Sequence, residues 1–481
     1  MIGTFKTPLN AVSVIPPSTT AWTKPSDWID ISTVGNNEIN LLVADMATTQ
    51  FSIITAGTYS INWGDGTVET GRTSMTTYYH TYALGSGTAC SRGYTTFKIR
   101  IYGASSDITR FQIQNPSGAT SAHNVPILWC VMGTTNLNSL ANAFSVSNMA
   151  YCGLLECLAL PNTLGTLLTF ASMCSNCYRL IQVTGPSGSW GSLVGASGAA
   201  FTSCFNLKYV QLPNSWGSLS SAQQMFNNCY SLETVILPSS WGSVSTVLGF
   251  FVNCYALKNV ILPTTWGSVT DVSQMFQYCE SLTNIILPTS WGSVTTISAM
   301  LQNCQSLQSI TLPSSWGSVT NTSSAFYFCS QLKTLTLPAT MGNITNAASM
   351  FYVCYELKSI VNFDKIGSLT IACSMLSIIM TNDSLTQSVS ISSLLSVFTI
   401  CGQLNKFVLI TSIRLTNPSS TFGGTSPQVN VSYTSLNAAA IDLLFGDLPT
   451  LVGKSINISS CPGAATCTRS IATAKGWTIT G

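Results

Sequence analysis

A repeat of 25 residues limits what this chain can fold into. Seven cysteines mark the repeat: Cys204, Cys229, Cys254, Cys279, Cys304, Cys329 and Cys354. Five tryptophans keep the same interval: Trp216, Trp241, Trp266, Trp291 and Trp316. A fixed period of this length is typical of repeat proteins, whose units pack against their neighbours and build one elongated core. The sequence therefore predicts a solenoid.

Each repeat predicts one short strand. In the repeat that begins at Cys229, the run SLETVILP places Leu232, Val235 and Leu237 on one side, and its closing proline ends the strand. The segment from that proline to Trp-Gly-Ser predicts a turn. The following VTxxSxMF is too short for a full helix and predicts a 3₁₀-like turn. A single coil of this kind buries little, so the core must form between stacked coils.

Composition excludes several classes of protein. Charged residues make up only 7% of the chain, against about 25% in typical soluble domains, and the net charge is +2. This charge is too small for the basic face of a nucleic-acid binder. No run of about 18 apolar residues occurs, so no membrane-spanning helix is expected. The first residues lack the pattern of a secretory signal peptide, which favours another route out of the cell.

The recurring phrase LxxIxLPxxWGSVTxxxxMFxxCxxL resembles the BspA-type class of leucine-rich repeats. That class is found on bacterial surfaces, in some protists and in phage-encoded proteins. The resemblance covers residues 126–375. It implies a right-handed solenoid with a parallel sheet on the concave face, and it implies no catalytic activity.

A different segment, residues 36–125, lies upstream of the repeats. Alternating runs separated by glycine-rich turns predict an all-β sandwich there. The motifs WGDGT and HTY resemble those of PKD-type immunoglobulin-like domains, which are generally spacer or adhesion modules. The matching residues are Trp63, Asp65, Gly66, His80 and Tyr82. The predicted fold class is therefore mainly β, with an N-terminal PKD-like β-sandwich, a leucine-rich-repeat solenoid with a parallel sheet, and a C-terminal cap.

The two ends differ from the repeats. Residues 1–35 are rich in Pro, Thr and Ser and predict an extended N-terminal arm. Residues 376–481 contain irregular repeats and a predicted C-terminal cap, because a solenoid must hide its last apolar face. Within the cap, Ser435 to Pro449 predicts an amphipathic helix. Its apolar positions are Leu436, Ala439, Ala440, Leu443 and Leu444. The stretch from Lys454 onward predicts one more strand, a turn and a short closing element.

The cysteine column has a structural and a chemical interpretation. The structural one places each thiol in a small buried slot, and it is favoured because the chain has 17 cysteines, an odd number. Disulfides between neighbouring coils stay open, since adjacent parallel strands lie about 4.8 Å apart, within the Cα range of a disulfide. Zinc is disfavoured because Cys174 and Cys177 form a lone CxxC pair. Cys461 and Cys467 could close a small loop.

The tryptophan column also has two interpretations. Stacked indoles would bury area and stiffen the turn, whereas an exposed aromatic strip would bind sugar rings. Met341 and then Ile366 continue the column. Aliphatic residues suit packing better than sugar stacking, so we expect the column to be structural.

The outward side of the strands is the candidate interaction face. Its residues are Tyr209, Glu233, Ile236, Lys258, Ile261, Thr283, Ile286, Gln308 and Thr336. The three isoleucines in this set would form an exposed apolar stripe, which marks a contact site. The alternative is the general preference of strands for β-branched residues.

No catalytic, cofactor or metal site is expected. The chain has two histidines, His80 and His123, and it lacks the GxSxG and HExxH motifs. Gly446 to Ser455 superficially resembles a phosphate loop, but the glycine spacing is wrong and a helix precedes it. Asp65 lacks the further carboxylates that calcium requires.

These features favour a non-enzymatic structural or adhesive protein on a bacteriophage virion, such as a tail or capsid fibre. The arm would bind other virion proteins, and the solenoid face would contact a host-surface glycan or protein. A homo-oligomer is expected, with a trimer as one form by analogy with fibres. The alternative is an adhesin on the bacterial cell surface. A third class, an accessory module of a glycan-degrading enzyme, would need a catalytic domain.

Overall fold

The computed structural model is mainly β, with about 9 turns of parallel solenoid and little helix. It describes residues 22–45, 49–55, 58–73, 77–103, 108–112, 123–124, 126–133, 137, 140, 143, 150–161, 167–185, 193–196, 198–212, 216–264, 266–289, 291–357, 359–362, 429–430, 437–448, 450 and 453–481. No helix within these ranges has the length and apolarity that a bilayer crossing requires.

Alternating apolar residues form two antiparallel sheets ahead of the repeats. The strands are β1 (Glu38–Ala44), β2 (Thr49–Thr55), β3 (Tyr59–Asn62), β4 (Val68–Arg72), β5 (Thr77–His80), β6 (Thr88–Ala89), β7 (Thr95–Gly103), β8 (Ile108–Gln112), β9 (His123–Asn124) and β10 (Ile127–Met132). One sheet has the order β10-β1-β7-β3-β4, with β6 also on β7, and the other has the order β5-β2-β8. Tyr59 and Tyr78 meet edge to face between them, with ring centroids 5.8 Å apart. The β-sandwich stays a prediction for this segment.

Strand β10 joins this N-terminal module to the repeats. It pairs antiparallel with β1 and parallel with the next core strand, β12 (Cys157–Ala159), so that Cys130 lies between Leu41 and Leu158. All three side chains are fully buried. The predicted boundary at residue 126 is therefore a shared strand and not a linker.

Each coil of the solenoid contributes one short strand to the concave side. The remaining strands are β11 (Ala150–Tyr151), β13 (Gln182–Thr184), β14 (Val194–Ala196), β15 (Tyr209–Gln211), β16 (Ser218–Ser221), β17 (Thr234–Ile236), β18 (Asn259–Ile261), β19 (Asn284–Ile286), β20 (Ser309–Thr311), β21 (Thr334–Thr336) and β22 (Ser359–Val361). Strands β12, β13, β15, β17 and β18 continue the sheet of β10, and β19-β20 and β21-β22 form parallel pairs. Leu232, Val235 and Leu237 point into the core, as predicted.

The segment between the Trp-Gly-Ser turn and the cysteine is a run of tight turns. Backbone hydrogen bonds link residues three apart, as from Phe250 N to Val247 O at 3.1 Å, and others link coils, as from Phe226 N to Phe250 O at 2.9 Å. Gly242 has φ +54°, and a Cβ there would lie 2.7 Å from the Gly217 carbonyl oxygen, so both conformation and space require glycine.

The C-terminal residues form a small parallel sheet with two helices. Its elements are β23 (Val429–Asn430), α1 (Ala438–Asp447), β24 (Lys454–Asn457), α2 (Ser470–Thr473) and β25 (Trp477–Thr480). The predicted helix is present, with Ile441, Leu444 and Phe445 buried and Ala439 exposed, and the side chains of Ala440 and Leu443 lie outside what the structure describes. Leu436 lies outside the described residues. The final stretch holds two strands instead of the single predicted strand.

The described part of the predicted arm packs on the protein. Trp28 and Ile31 are buried against Leu42 and Trp129 on the outer side of the β10-β1 sheet. Asn40 Nδ2 donates a hydrogen bond to the Thr33 carbonyl oxygen at 2.9 Å. The extended arm over residues 1–35 stays a prediction; its residues 22–35 cover a sheet face with their large apolar side chains. Residues 1–21 lie outside the described residues.

Candidate interaction face

The concave face is built from alternate residues of the strands. The middle residue of each strand points into the core, buried as at Val235 and Ile285 or partly buried as at Val260 and Ile310, and its neighbours point outward. Along one outward column, Ile261 is 68% exposed, Ile286 61% and Val361 47%. Ile261 and Ile286 lie on neighbouring coils and form an apolar stripe, whereas Thr311 and Thr336 separate Val361 from them.

Eight of the nine predicted face residues are exposed or half-buried. They are Glu233, Ile236, Lys258, Ile261, Thr283, Ile286, Gln308 and Thr336. Tyr209 is not part of the free face, because only 5% of it is exposed. It lies in register with Gln182 and Thr234, and the Gln182 side chain accepts a hydrogen bond from the Trp22 backbone at 2.9 Å. The N-terminal segment thus covers this end of the sheet, which the repeat pattern alone does not reveal.

The cysteine column fixes each coil to the one before it. All seven cysteines of the column are free thiols with no exposed surface. Each donates a hydrogen bond to a backbone carbonyl of the preceding coil, as from Cys229 Sγ to the Phe201 oxygen at 3.1 Å and from Cys354 Sγ to the Phe326 oxygen at 3.0 Å. The column is therefore a set of small apolar side chains that also satisfy buried acceptors.

Burial makes these thiols unreactive. Removal from water raises the pKa of Cys354 to about 12, and it also raises the pKa of Cys229 and Cys279. Cys174, Cys177 and Cys461 are also buried, whereas Cys467 is half-buried. Among the described residues, no three or more His, Cys, Asp or Glu side chains converge to hold a metal ion.

The tryptophan column lies inside the coil. Trp241, Trp266 and Trp291 are at most 2% exposed and stack with ring centroids 5.9 and 5.2 Å apart. The indole N–H of each is buried without a hydrogen-bond partner. A sugar could not reach these rings, so the column acts in packing. Met341 continues it as a half-buried residue, and Ile366 lies outside the described residues.

A second aromatic ladder lies on the surface, and the sequence reasoning missed it. Tyr178, Phe205, Tyr230 and Tyr255 each follow a column cysteine directly. Their rings stack at centroid distances of 5.0, 4.8 and 5.2 Å. The three tyrosines are each 38% exposed. Phe205, Tyr230 and Tyr255 keep the 25-residue interval of the cysteines, one position further along, and Tyr178 lies 27 residues before Phe205.

The two motifs of the N-terminal module come together as one cluster. The His80 ring stacks on Trp63 at a centroid distance of 4.7 Å, and its Nε2 lies 2.7 Å from Asp65 Oδ2. The Tyr82 hydroxyl donates to the Trp63 carbonyl oxygen at 2.8 Å. The Asp65 carboxylate also accepts from the Thr67 backbone N–H at 2.9 Å. The cluster therefore closes a turn, and its carboxylate is already bound by protein donors.

Chemical labelling should distinguish the thiols of the cysteine column from the half-buried Cys90 and Cys467 by their rates of reaction. With iodoacetamide on the native protein, we expect Cys90 and Cys467 to react well before Cys229 or Cys354, because the column thiols are buried and protonated. Peptide mass spectrometry over time measures the order, and labelling in guanidinium is the control in which the difference should vanish. Equal native rates for Cys90 and Cys229 would contradict the buried column.

The tryptophan column should depend on packing and not on hydrogen bonding. Trp266→Ala is expected to lower the free energy of unfolding by about 3–5 kcal/mol. Trp266→Phe should cost less than half as much, because it keeps a ring in the stack and the lost N–H has no partner. Chemical denaturation measures both, with the exposed Ser268→Ala as the control. Equal losses for Phe and Ala would show that the N–H matters.

Comparison with known proteins identifies the repeat. A family model described as "BspA type Leucine rich repeat region" matches in 6 copies, over residues 146–271, 196–323, 272–391 and 298–426. These ranges together cover more than half of the chain. The search of curated proteins gave no match.

Three solved structures are similar in part. A Treponema pallidum leucine-rich repeat protein has 21% identity over 46% of this chain and 75% of its own, with a TM-score of 0.26. A leucine-rich repeat protein from Bacteroides ovatus has 16% identity over 59% of this chain and 95% of its own, with a TM-score of 0.26. A leucine-rich repeat protein from Eubacterium ventriosum has 16% identity over 49% of this chain and 82% of its own, with a TM-score of 0.23.

The assignment depends on the repeat match, which agrees with the parallel coils described above. The chain belongs to the BspA-type leucine-rich-repeat family.

Proposed function

We propose that this chain is a non-enzymatic scaffold that presents the concave face of its solenoid to a partner outside the cell. The observation that carries the proposal is the row of Ile261 and Ile286, which are 68% and 61% exposed although Leu257, Leu262 and Ile285 beside them are buried. Contiguous exposed apolar side chains mark contact sites in soluble proteins. Proteins with this type of repeat are typically surface-associated and generally non-enzymatic, which supports the same assignment.

The rigidity of the face supports a recognition role. Ile261 lies between buried Leu257 and Leu262, and the strand before it is held in register by parallel pairing. A surface fixed before binding loses little conformational entropy when a partner covers it. The buried cysteine and tryptophan columns therefore help to keep this face rigid.

The proposed location is the surface of a bacteriophage particle, as part of a tail or capsid fibre. Thirteen of the cysteines that the structure describes are buried thiols, which supports this location, since a protein so rich in thiols suits folding in a reducing cytoplasm, where such particles assemble. The family match is equally consistent with an adhesin on the bacterial cell surface, and that is the second candidate.

The N-terminal module would act as a spacer. Its Trp63, His80 and Asp65 cluster supports a PKD-like fold, because both motifs of that resemblance meet in space. The sheet shared through β10 would transmit its orientation rigidly to the solenoid. Residues 1–21 would then bind other virion proteins, and a homo-oligomer, such as a trimer, would form the fibre.

Adhesion should depend on the isoleucine row. The double variant Ile261→Asp with Ile286→Asp should lose at least tenfold in binding of labelled protein to cells of a susceptible strain, because charge replaces the apolar contact. The exposed turn variant Ser268→Asp is the matched control and should bind normally. Flow cytometry measures binding, and thermal unfolding checks that all variants are folded. Unchanged binding of the double variant would refute the role of this face.

Localisation distinguishes the two candidate settings. Immunogold labelling of a culture that makes the protein should decorate phage particles, and truncation of residues 1–21 should abolish this labelling without lowering the melting temperature. Truncation of residues 1–35 is the structural control, and it should lower the melting temperature because it uncovers Leu42 and Trp129. Gold on cell envelopes alone would favour the adhesin, and gold on neither would refute both.

A further inference from the structure

A pocket lies at the N-terminal end of the solenoid, where the edge of the coils meets the concave face. Its volume is about 290 Å³, and it is lined by Glu156, Arg179, Ile181, Asn206 and Lys208. These residues come from three successive coils, those that contain strands β12, β13 and β15. The pocket is separate from the isoleucine row, which begins one coil further along at Ile236.

The pocket has a net positive charge. Glu156 is 6% exposed and is held by Arg92 and by Trp22 Nε1, which lies 3.3 Å from Glu156 Oε2. Its carboxylate is therefore neutralised by an existing partner. Arg179 and Lys208 are exposed, and among the described residues neither forms an ion pair. Two cations consequently remain available for a ligand.

Two aromatic residues directly precede lining residues of the pocket in the chain. Tyr178 and Phe205 directly precede Arg179 and Asn206, and Asn206 Nδ2 donates to the Tyr178 carbonyl oxygen at 2.7 Å. Tyr178 is the first ring of the surface ladder, and the equivalent position in the coil before it is Gly153. Glycine has no side chain to cover the outer face of Tyr178, so a ring of a ligand could continue the stack.

The charges along the edge favour a ligand with isolated negative groups. The column that contains Lys208 reads Glu156, Ile181, Lys208, Glu233 and Lys258. Glu233 follows Lys208 in this column and would repel the next phosphate of a polyanion such as a nucleic-acid strand. One carboxylate beside a ring is compatible with this pattern, and guanidinium binds carboxylates through paired hydrogen bonds.

From these observations we propose that the pocket binds a carboxylate-bearing sugar, such as a sialic or hexuronic acid unit of a surface glycan. Arg179 and Lys208 hold the carboxylate, the free Asn206 Oδ1 accepts from a sugar hydroxyl, and the Tyr178 face stacks on the ring. The inference rests on the proposed surface-recognition function and specifies one ligand class for it. It makes the N-terminal end of the face a polar site beside the apolar row.

The test uses the full chain and isothermal titration calorimetry with sialyllactose and digalacturonate. At least one of the two should bind, and its neutral counterpart, lactose or digalactose, should bind at least tenfold more weakly. Arg179→Gln and Lys208→Gln should each weaken binding at least tenfold. Tyr178→Ala should weaken it too, whereas Tyr178→Phe should not, because the ring remains. Lys333→Gln, in the same column on a distant coil, is the matched control.

Several results would overturn the proposal: no binding of either acidic sugar, equal binding of the neutral sugars, tighter binding of an acidic hexapeptide, or normal binding by both charge variants. An assay of cell binding distinguishes failure of the sugar inference from failure of the proposed surface-recognition function. If the acidic sugars fail while the Ile261→Asp and Ile286→Asp variant still loses adhesion, only the sugar inference falls. If neither set of variants changes adhesion, the proposed function fails as well.

Discussion

The structure depends on the registration of each coil with its neighbour at 25 residues. Backbone groups of one coil bond to the next at two places: through strands such as β17 and β18 on the concave side, and through the turn segment, where Gln224 N donates to the Leu248 oxygen at 2.8 Å. A coil alone would leave these groups unpaired, and buried unpaired groups are costly. The same spacing aligns sulfur, indole and aliphatic side chains into continuous buried columns.

This constraint explains what the sequence predicted and what it did not. The period and the alternation around Val235 are local signals, so the strand positions and the inward residues followed directly. The conformation of the turns was less visible. Asn228 and Asn253 have φ near +60°, which asparagine tolerates, but Val353 adopts φ +62° as well, where a β-branched residue is unfavourable. The stacked neighbours impose that conformation, and no pattern within one repeat shows it.

Contacts between segments distant in sequence also could not be predicted from the sequence. Trp28 and Trp22 meet the first coils because the chain folds back across β10, so part of the Pro- and Thr-rich segment predicted as an extended arm covers a sheet face. The burial of Tyr209 was not predicted either: its place in the repeat puts it on the outward side, yet only 5% of it is exposed. The pocket lined by Arg179 and Lys208 likewise needs Glu156 to be neutralised by Arg92, 64 residues away in sequence.

Because every coil must keep its inward residues, chemical variety is confined to the outward positions. The concave side therefore changes character along its length: cations and tyrosine rings at the covered N-terminal end, isoleucines in the middle at Ile261 and Ile286, then threonines at Thr311 and Thr336. Each zone occupies the same backbone geometry, so their spacing is set by the coil rise of about 4.8 Å. A partner with one charged end and one apolar stretch would match two zones at once, and its orientation on the solenoid would be fixed by that match alone.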